Sequence, residues 1–598
     1  MKKFISYKTL LLVLSLLLGI FYYFLIQVSV LELKQANSRS NTFSFLLTSK
    51  IGQNVKLHIA AEKNQIRLVE CNGIKIVFPY KKQQWFEGMG EEVNFSMKKG
   101  SNDCKVYTDN FGKVYTPAIK QKITFLDYCI LFCLLGIPLF GVLFTVFIGG
   151  INLVKSRIPA TFPRLDKNSG NKPEPTRFLL VILFAGAVIR VLYFEKFGIT
   201  LFQHDWHGHI EFIKYMAQNW TLPLPSKGLE YPQQPLYYLL AGGVYALLTH
   251  FGLDEGETLY AVGYFSLLCS MFFLYYAYRF MTLVTQSVWV RGVAIVFVSL
   301  TPSLVYLSAR INNDALVMAL GAFSLYYIVK SYQSGFEKSF YTALTGVSLL
   351  FMTKISASPM EVLLFILLIL AYYRGKRYEQ TQVKKKLYWF GVVGLFLLGF
   401  TLLRVYTPVE NAFHMVNSAK FPKQTIEALD WGYFSTFHFK ELLMAGQSYV
   451  FGDDAIRFSF LTYQYGTMFF GEFDYTYFLE KSPYLKMAMQ AVLLSGLLFV
   501  LGFIVYLLRL YREPLLHKLL LATFLLNLVL VLKFMFSFPS VCNTDFRYFV
   551  GSFVLIGFIF AKGLEPIHRG RVVGRVLNIW VALLAVSEII FFVLLLAS

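Results

Sequence analysis

Ionisable side chains are concentrated in one loop between two apolar segments. Residues 203–209 read QHDWHGH and hold Asp205 among three histidines, and Glu230 opens the tract 230–238, which reads EYPQQPLYY. Charged groups at the edge of a membrane are costly, so by default they indicate a functional site. The prolines of the tract fix a bend where the chain returns to apolar sequence, and this leaves Glu230 beside that site.

Asp205 is suited to act as a general base if a helix begins there. In a helix over 205–216, Asp205 and His209 lie one turn apart on one face, so the imidazole could hold and tune the carboxylate. In an alternative interpretation, Asp205 caps the helix and the histidines lie in the headgroup layer. His204, His207, His209 and Asp205 could also ligate a divalent metal. Because the pattern lacks a fourth fixed ligand, no cofactor is predicted to be required, and a divalent metal stays the alternative.

The composition decides the class of protein. Of the 598 residues, 56% are hydrophobic and only 15% are charged, and the mean hydropathy is +0.54. A soluble chain could not bury so much apolar surface, which indicates a polytopic helical membrane protein. The net charge is +21, but the basic residues form short clusters between apolar segments. Such clusters are typical of orientation signals, and we expect no nucleic-acid partner.

The elements that must position the loop are mainly helices. The sequence predicts a mainly α fold, a polytopic membrane helical bundle of about 13–14 spans with a small β-rich extracytoplasmic domain inserted after the first span. The predicted division is an N-terminal anchor helix at 1–29, the β-rich domain at 30–120, a second span at 121–152, a cytosolic basic linker at 153–177 and a transmembrane core at 178–598 with outer loops 196–233 and 404–484.

The β-rich prediction rests on alternation and turn signals. Polar and apolar residues alternate in short runs such as 55–59 and 74–78, and Asn72-Gly73 is a typical turn pair. Cys71 and Cys104 share this polar region and could pair if it faces an oxidising compartment.

Basic clusters predict which loops face the cytosol and which face outward. They recur at 279–291, 374–386, 509–512 and 569–575, and each marks a cytosolic turn. The outer face then receives the loop around Asp205, the segment 310–314, Lys354, the loop 404–484 and the segment 543–547. The run 235–251 does not fit this alternation of cytosolic and outer loops. Either the run does not cross the membrane fully or the charge rule fails locally.

At these positions the chain resembles the membrane-embedded C-type glycosyltransferases, in particular the bacterial relatives of protein O-mannosyltransferases and lipid A aminoarabinose transferases. The resemblance covers about residues 178–562. It rests on Asp205 in the first outer loop, on the tract 230–238, on Arg310-Ile-Asn-Asn-Asp314-Ala-Leu, on Thr353-Lys354-Ile-Ser-Ala and on Phe546-Arg547-Tyr-Phe. These families usually have an Asp-Glu pair in the first loop. Here Trp206 follows Asp205, which leaves the second acidic role to Glu230.

The resemblance implies transfer of a sugar from a polyprenyl-phosphate donor to a lipid, glycan or protein acceptor, for glycosylation in the cell envelope. The protein would lie in the bacterial cytoplasmic membrane with its active site facing outside. Asp205 is the predicted catalytic base, and the candidate substrate-binding residues are His209, Glu230, Arg310, Asp314, Lys354, Glu472 and Arg547. The appended first 120 residues have no counterpart in the simplest members, so the acceptor cannot be carried over.

A phosphate leaving group requires positive charge where anionic charge develops. Arg310, Lys354 and Arg547 are the candidates on the outer side. Each has a structural alternative: Arg310 and Asp314 are spaced as a one-turn ion pair, Lys354 could extend to the interface, and Arg547 could be a helix-end anchor. Aromatic residues are dense in the loop 404–484. They suit the membrane interface and also stack on sugars, so part of this loop, including Glu472, is expected at the site.

Two other functions remain open. A transporter or flippase for a lipid-linked saccharide also carries intramembrane charges, but it should show repeat symmetry and broken helices near the bilayer midplane. A non-catalytic assembly factor would act through the outer domain and would leave Asp205 and Arg547 without a role. Ionisable residues at the outer ends of helices favour the enzyme.

Overall fold

The computed structural model describes the eight strands listed below and most of the chain from Arg177 to Ala597. Within that stretch it leaves out 200–204, 226–227, 376, 407–425, 427–428, 446–453, 473–474 and 538. The predicted anchor helix 1–29 and second span 121–152 lie outside the described residues, as does the linker 153–177 except for its last residue.

Eight antiparallel strands lie within residues 30–120. They are β1 Glu32–Ser38, β2 Thr42–Ser49, β3 Gln53–Ile59, β4 Ile66–Cys71, β5 Ile74–Val77, β6 Glu91–Met97, β7 Gly100–Thr108 and β8 Ala118–Lys120. One sheet has the order β1-β2-β7-β4-β5 and the other the order β6-β3-β8. In the pairing of β4 with β7, Cys71 and Cys104 are direct cross-strand partners.

Helices account for most of the chain after Arg177. They are α1 Arg177–Phe197, α2 Trp206–Asn219, α3 Leu236–His250, α4 Glu255–Val284, α5 Val288–Leu300, α6 Pro302–Ser308, α7 Asp314–Gln333, α8 Ser339–Phe351, α9 Pro359–Arg374, α10 Arg377–Tyr406, α11 Trp431–Ser435, α12 Phe439–Ala445, α13 Asp454–Arg457, α14 Phe460–Phe470, α15 Thr476–Lys481, α16 Pro483–Leu508, α17 Leu515–Ser537, α18 Phe553–His568 and α19 Arg571–Ala597. Short 3₁₀ turns at Ile355–Ala357, Leu510–Arg512, Val541–Thr544 and Phe546–Ser552 connect some of them.

The chain is a multi-pass membrane protein by the length and composition of its helices. Among the described residues, eight helical segments are long and apolar enough to cross a membrane, and a ninth results if α5 and α6, bent by 50°, form one broken span. The predicted total of about 13–14 spans also includes two in the undescribed part, so it stays a prediction.

The apolar helix α3 is short for a membrane span. Its 15 residues rise by about 22 Å, whereas a bilayer core is about 30 Å thick. This length agrees with the interpretation that the run 235–251 does not cross the membrane fully.

The strands belong to one compact unit, which also includes residues 398–409 at the end of α10, and the other helices belong to a second unit. Within the helical unit, α7 is buried along most of its length and packs against α4 and α8, and α16 packs against α18 and α19. The amide of Leu236 at the start of α3 donates to the carbonyl of Met352 after α8, 3.0 Å away. The turn 546–552 packs against both α7 and the turn 355–357. Several element ends are thereby gathered in one place.

Candidate functional site

Arg547 is surrounded by three carboxylates from different parts of the chain. Its Nη2 lies 4.0 Å from Oδ2 of Asp205, its Nη1 lies 3.7 Å from Oε2 of Glu472, and its Nε lies 3.4 Å from Oδ2 of Asp545. Asp545 also caps the turn 546–552, because its Oδ1 accepts from the amide of Arg547 at 3.0 Å. The structure thus brings Asp205, Glu472 and Arg547 together and adds Asp545.

Asp205 does not cap α2 with its side chain. Its backbone is left-handed, with φ 61° and ψ 5°, and its carboxylate makes no capping hydrogen bond, although its carbonyl accepts from the amides of Gly208 and His209. An aspartate adopts this conformation more readily than most residues. The carboxylate, 41% exposed, lies beside Arg547 instead.

His209 is buried, and its Nδ1 lies 2.8 Å from the hydroxyl of Tyr238. Burial lowers the pKa of this imidazole to about 3, although the negative charge of Asp205 opposes the shift. The ring is therefore neutral at physiological pH. Nδ1 is engaged with Tyr238, and no hydrogen bond joins the imidazole of His209 to the carboxylate of Asp205 among the described residues, so the tuning of Asp205 by His209 stays a prediction.

A chain of side-chain amides connects the tract 230–238 with two other segments. The Nε2 of Gln233 donates to Oε2 of Glu230, and its Oε1 accepts from the hydroxyl of Tyr238 at 3.1 Å and from Nδ2 of Asn313. Asn313 Nδ2 also donates to the carbonyl of Thr353 at 3.2 Å. The acidic tract is thereby joined to the segments that carry Asp314 and Lys354.

Glu230 is a buried carboxyl group, only 7% exposed. Its pKa is raised to about 8, chiefly by burial and then by the charge of Asp205, while the cations Arg547 and Lys354 oppose the shift. At neutral pH most molecules therefore carry Glu230 as the neutral acid, which can donate a hydrogen bond.

Lys354 forms an ion pair with Asp314, the first residue of α7. Its Nζ also lies 5.1 Å from the ring centroid of Tyr548, and the guanidinium of Arg547 lies 5.6 Å from the same centroid. Tyr548 thus stands between the Asp314–Lys354 pair and the carboxylates around Arg547.

Among the described residues, no ion pair joins Arg310 to Asp314, the structural alternative that their spacing offered. The guanidinium of Arg310 stacks over the ring of Tyr306, 4.9 Å from the centroid, and it is buried. Asp314 is instead contacted by Lys354 and by Nδ2 of Asn312 at 3.4 Å.

Glu472 follows the end of α14 and is almost fully buried. The hydroxyl of Tyr463 donates to its Oε1 at 2.8 Å, and burial together with the Glu472 charge raises the pKa of Tyr463 well above its usual value. Gly471 ends α14 with φ 64° and packs against the ring of Tyr306. Through Tyr306, the end of α14 adjoins Arg310.

Reasoning from the sequence missed several members of this cluster. Asp545 was detectable, since it stands two residues before Arg547 where a capping residue belongs. Gln233, Asn313 and Tyr463 are neutral and were not distinguishable from other polar residues.

Among the described residues, no three His, Cys, Asp or Glu side chains are arranged to hold a metal ion, and His204 lies outside them.

No protein-family model matches the chain, and no curated protein matches it. Among solved structures, the chain is similar to the cryo-EM structure of arabinosyltransferase EmbB from Mycobacterium smegmatis, with 10% sequence identity and a TM-score of 0.38. The match covers 88% of this chain and 42% of that one, so the chain spans less than half the length of the protein to which it is similar.

Proposed function

We propose that the chain transfers a sugar from a polyprenyl-phosphate donor to an extracytoplasmic acceptor in the bacterial cytoplasmic membrane. The observation that carries this proposal is the contact of a half-exposed carboxylate, Asp205, with the guanidinium of Arg547 at 4.0 Å. A base for an acceptor and a cation for a phosphate are the two groups that such a reaction requires side by side.

Asp205 is assigned the role of general base. The oxygen or nitrogen of the acceptor attacks the anomeric carbon of the sugar, its proton passes to the carboxylate, and the bond from that carbon to the phosphate oxygen breaks. Polyprenyl phosphate leaves with the bonding electron pair. One displacement of this kind inverts the configuration at the anomeric carbon.

The three cations are assigned to the phosphate. Arg547 and Lys354 flank Tyr548, and each is held by at least one carboxylate, which fixes its position before the donor arrives. Arg310, stacked on Tyr306, supplies the third charge. Groups that are fixed in advance stabilise developing charge without reorganisation during the reaction.

Glu230 and His209 are proposed as neutral hydrogen-bonding groups at the same site. The raised pKa of Glu230 and the lowered pKa of His209 leave both uncharged near pH 7. A protonated Glu230 can donate to a sugar hydroxyl, which would supply the second acidic role. Asp314 and Glu472 then act by holding Lys354 and Arg547.

The division of the chain is also part of the proposal. Residues 1–29 and 121–152 would anchor a β-rich extracytoplasmic domain at 30–120, the basic linker 153–177 would be cytosolic, and the core 178–598 would carry the reaction. The eight paired strands support a β-rich domain. We suggest that it binds a carbohydrate or a partner.

A transporter or flippase for a lipid-linked saccharide is the second candidate. It is favoured by the broken helix pair α5–α6, a feature typical of transporters. Transfer and transport differ in products, because only transfer cleaves the bond from sugar to phosphate.

The test uses the purified full chain in proteoliposomes that contain a panel of polyprenyl-phosphate pentoses and hexoses with a lipid extract as acceptor. Release of polyprenyl phosphate is measured for the unchanged protein, for Asp205→Asn and for Asp430→Asn. Asp430 is a matched control, since it is an exposed aspartate that caps α11. Release that only Asp205→Asn abolishes supports the transferase. Movement of intact donor across the bilayer without release would favour the transporter.

A further inference from the structure

The break between α5 and α6 exposes backbone carbonyls inside the bundle. Pro302 begins α6 and has no N–H, so the carbonyl of Val298 loses the donor that a continuous helix would supply. The two helices diverge by 50° at this point, and Val298 and Ser299 are both fully buried. A buried carbonyl without a donor is costly, most of all inside a membrane, where no water molecule can donate a hydrogen bond to it.

Arg190 of α1 supplies the missing donors. Its Nη2 donates to the carbonyl of Val298 at 3.1 Å, and its Nη1 donates to that of Ser299 at 2.5 Å. Its Nε donates to the hydroxyl of Ser270 in α4 at 2.8 Å. One fully buried side chain thus connects three helices at the break.

The charge of Arg190 also suits this place. The last carbonyls of α5 form the negative end of a helix dipole, which favours a cation. Among the described residues, no carboxylate forms an ion pair with Arg190. The guanidinium is held by neutral oxygen atoms, including the carbonyl of Gly186 at 3.0 Å.

Gly186 permits the close approach of α1. A Cβ atom at this position would lie 2.7 Å from the carbonyl oxygen of Ser299. Gly186 and Arg190 are one turn apart on α1 and therefore present a small residue and a forked donor to the same break.

The break determines where α6 lies. The hydroxyl of Ser303 in α6 donates to the carbonyl of Met468 in α14 at 2.5 Å. One turn further on, Tyr306 lies under the guanidinium of Arg310 and against Gly471, the residue before Glu472. A change in the bend would therefore displace groups at the candidate site.

We propose that Arg190 is a positioning residue: its guanidinium replaces the backbone donor that Pro302 removes and fixes the bend that places Tyr306 and Arg310 at the candidate site. The last step, an effect on sugar transfer, rests on the proposed function. The hydrogen-bonding role and the placement of α6 do not, so they are tested without an activity assay.

The first test is a double-mutant cycle between Arg190 and Pro302, read as Tm of the purified full chain in detergent. Arg190→Met is expected to lower Tm by on the order of 5 °C, because two buried carbonyls lose their donors. Arg177→Met is the matched control, an exposed arginine at the start of the same helix. Arg190→Lys keeps the charge but not the forked guanidinium, so its loss of Tm should lie between those of Arg190→Met and Arg177→Met.

Pro302→Ala restores an N–H that can donate to the carbonyl of Val298. In the Arg190→Met background it is expected to recover at least half of the loss in Tm. If Arg190→Met alone does not fold, recovery of folded protein in the double variant has the same meaning. Additive effects of Arg190→Met and Pro302→Ala on Tm would overturn the proposal. A loss of Tm in Arg190→Met equal to that in Arg177→Met would also overturn it, as would failure of both Arg190→Met and the double variant to fold.

The second test measures the position of α6 directly. Cysteines introduced at Ser303 and Met468 are expected to cross-link with a short bifunctional thiol reagent in membranes. Arg190→Met should reduce the yield at least threefold while a labelling control at the single cysteines stays unchanged. An unchanged yield in Arg190→Met would show that α6 is positioned without Arg190. Neither result depends on whether the chain transfers a sugar.

Discussion

The Nη2 atom of Arg547 lies 4.0 Å from the Oδ2 atom of Asp205, which links the turn after α17 to the loop before α2. The other two arms of the guanidinium face Glu472 and Asp545, both only 2% exposed in their side chains. Asp205 is the exposed member of this group. It is therefore the carboxylate that a molecule from solvent can reach, while the buried pair holds the arginine.

Asp205→Asn is expected to reduce sugar transfer by roughly 10²–10⁴-fold, the usual contribution of a general base. Asparagine tolerates the left-handed backbone at this position, so Tm should change by less than about 2 °C. Asp205→Ala should lose activity equally and also some stability, since alanine is strained at φ 61°. Turnover and Tm are measured on the same preparations. Full turnover by the asparagine variant would remove the base assignment.

Arg547→Ala should destabilise the chain by roughly 3–5 kcal/mol, because it leaves buried carboxylates without their cation. Arg569→Ala is the control: Arg569 also pairs with a glutamate, but its side chain is 76% exposed, so the expected loss is at most about 1 kcal/mol. The unfolding free energies of the two variants are compared in one detergent. Equal losses would mean that the carboxylates around Arg547 do not depend on it.

Arg547→Lys separates binding from folding. A lysine keeps the charge but cannot face three carboxylates and a phosphate at once. We expect the KM for the lipid-linked donor to rise more than the KM for the acceptor. Comparable increases in both constants would argue against contact with phosphate.

Glu230 should make stability depend on pH. Its folded-state pKa of about 8 lies above the ordinary value of 4.5, so its contribution is fully present below pH 4.5 and is lost as pH rises to 8. His209 has a lowered pKa, and its contribution is lost only as pH falls below 6.5. Between pH 6.5 and 8, Glu230 is therefore the one of these two groups whose contribution to stability changes with pH.

The corresponding measurement is Tm against pH for the unchanged chain and for Glu230→Gln. The unchanged chain should lose stability from pH 6.5 to 8 more steeply than the glutamine variant, which cannot ionise at this position. Parallel curves would mean that Glu230 is already ionised at pH 6.5.

The sequence predicts the convergence of charges better than their pairing. Asp205, Lys354 and Arg547 each stand at the end of an apolar segment, and topology brings such ends together. The pairing of Arg310 with Asp314 is the structural alternative that a spacing of one helical turn suggests. That spacing applies only inside a helix, and α7 begins at Asp314, so Arg310 lies outside it and stacks on Tyr306.

The rule that one-turn spacing applies only inside a helix also bears on Asp205 and His209. Helix α2 begins at Trp206, so Asp205 lies outside it with a left-handed backbone, and the one-turn spacing to His209 does not apply to its side chain. Arg190 was not predicted as a site residue, because its partners are backbone carbonyls around a proline in a distant segment. Neutral amides such as Gln233 also have no signature in a single sequence.

Cys71 and Cys104 are predicted to form a disulfide. They are direct partners in the antiparallel pairing of β4 with β7, where Cα atoms lie about 4.5–5.5 Å apart, within the usual range for a disulfide. Such a bond forms if these strands face an oxidising compartment, as proposed for residues 30–120. Thiol labelling of the intact chain before and after reduction should show protection of both cysteines. Labelling of either one without reductant would place these strands in a reducing compartment or separate the two residues.

Gly471→Ala is expected to disturb the site through Tyr306. Gly471 has φ 64° and ψ −161°, a conformation essentially restricted to glycine, and a Cβ there would lie 3.0 Å from the Tyr306 ring. Gly335→Ala is the matched control, since its φ is 71° but nothing lies within 4 Å of the added atom. Both variants bear backbone strain of about 1–3 kcal/mol, and only Gly471→Ala also displaces the ring beneath Arg310. A larger drop in both Tm and turnover for Gly471→Ala is therefore expected, whereas equal effects in the two variants would show that Tyr306 accommodates the methyl group without moving Arg310.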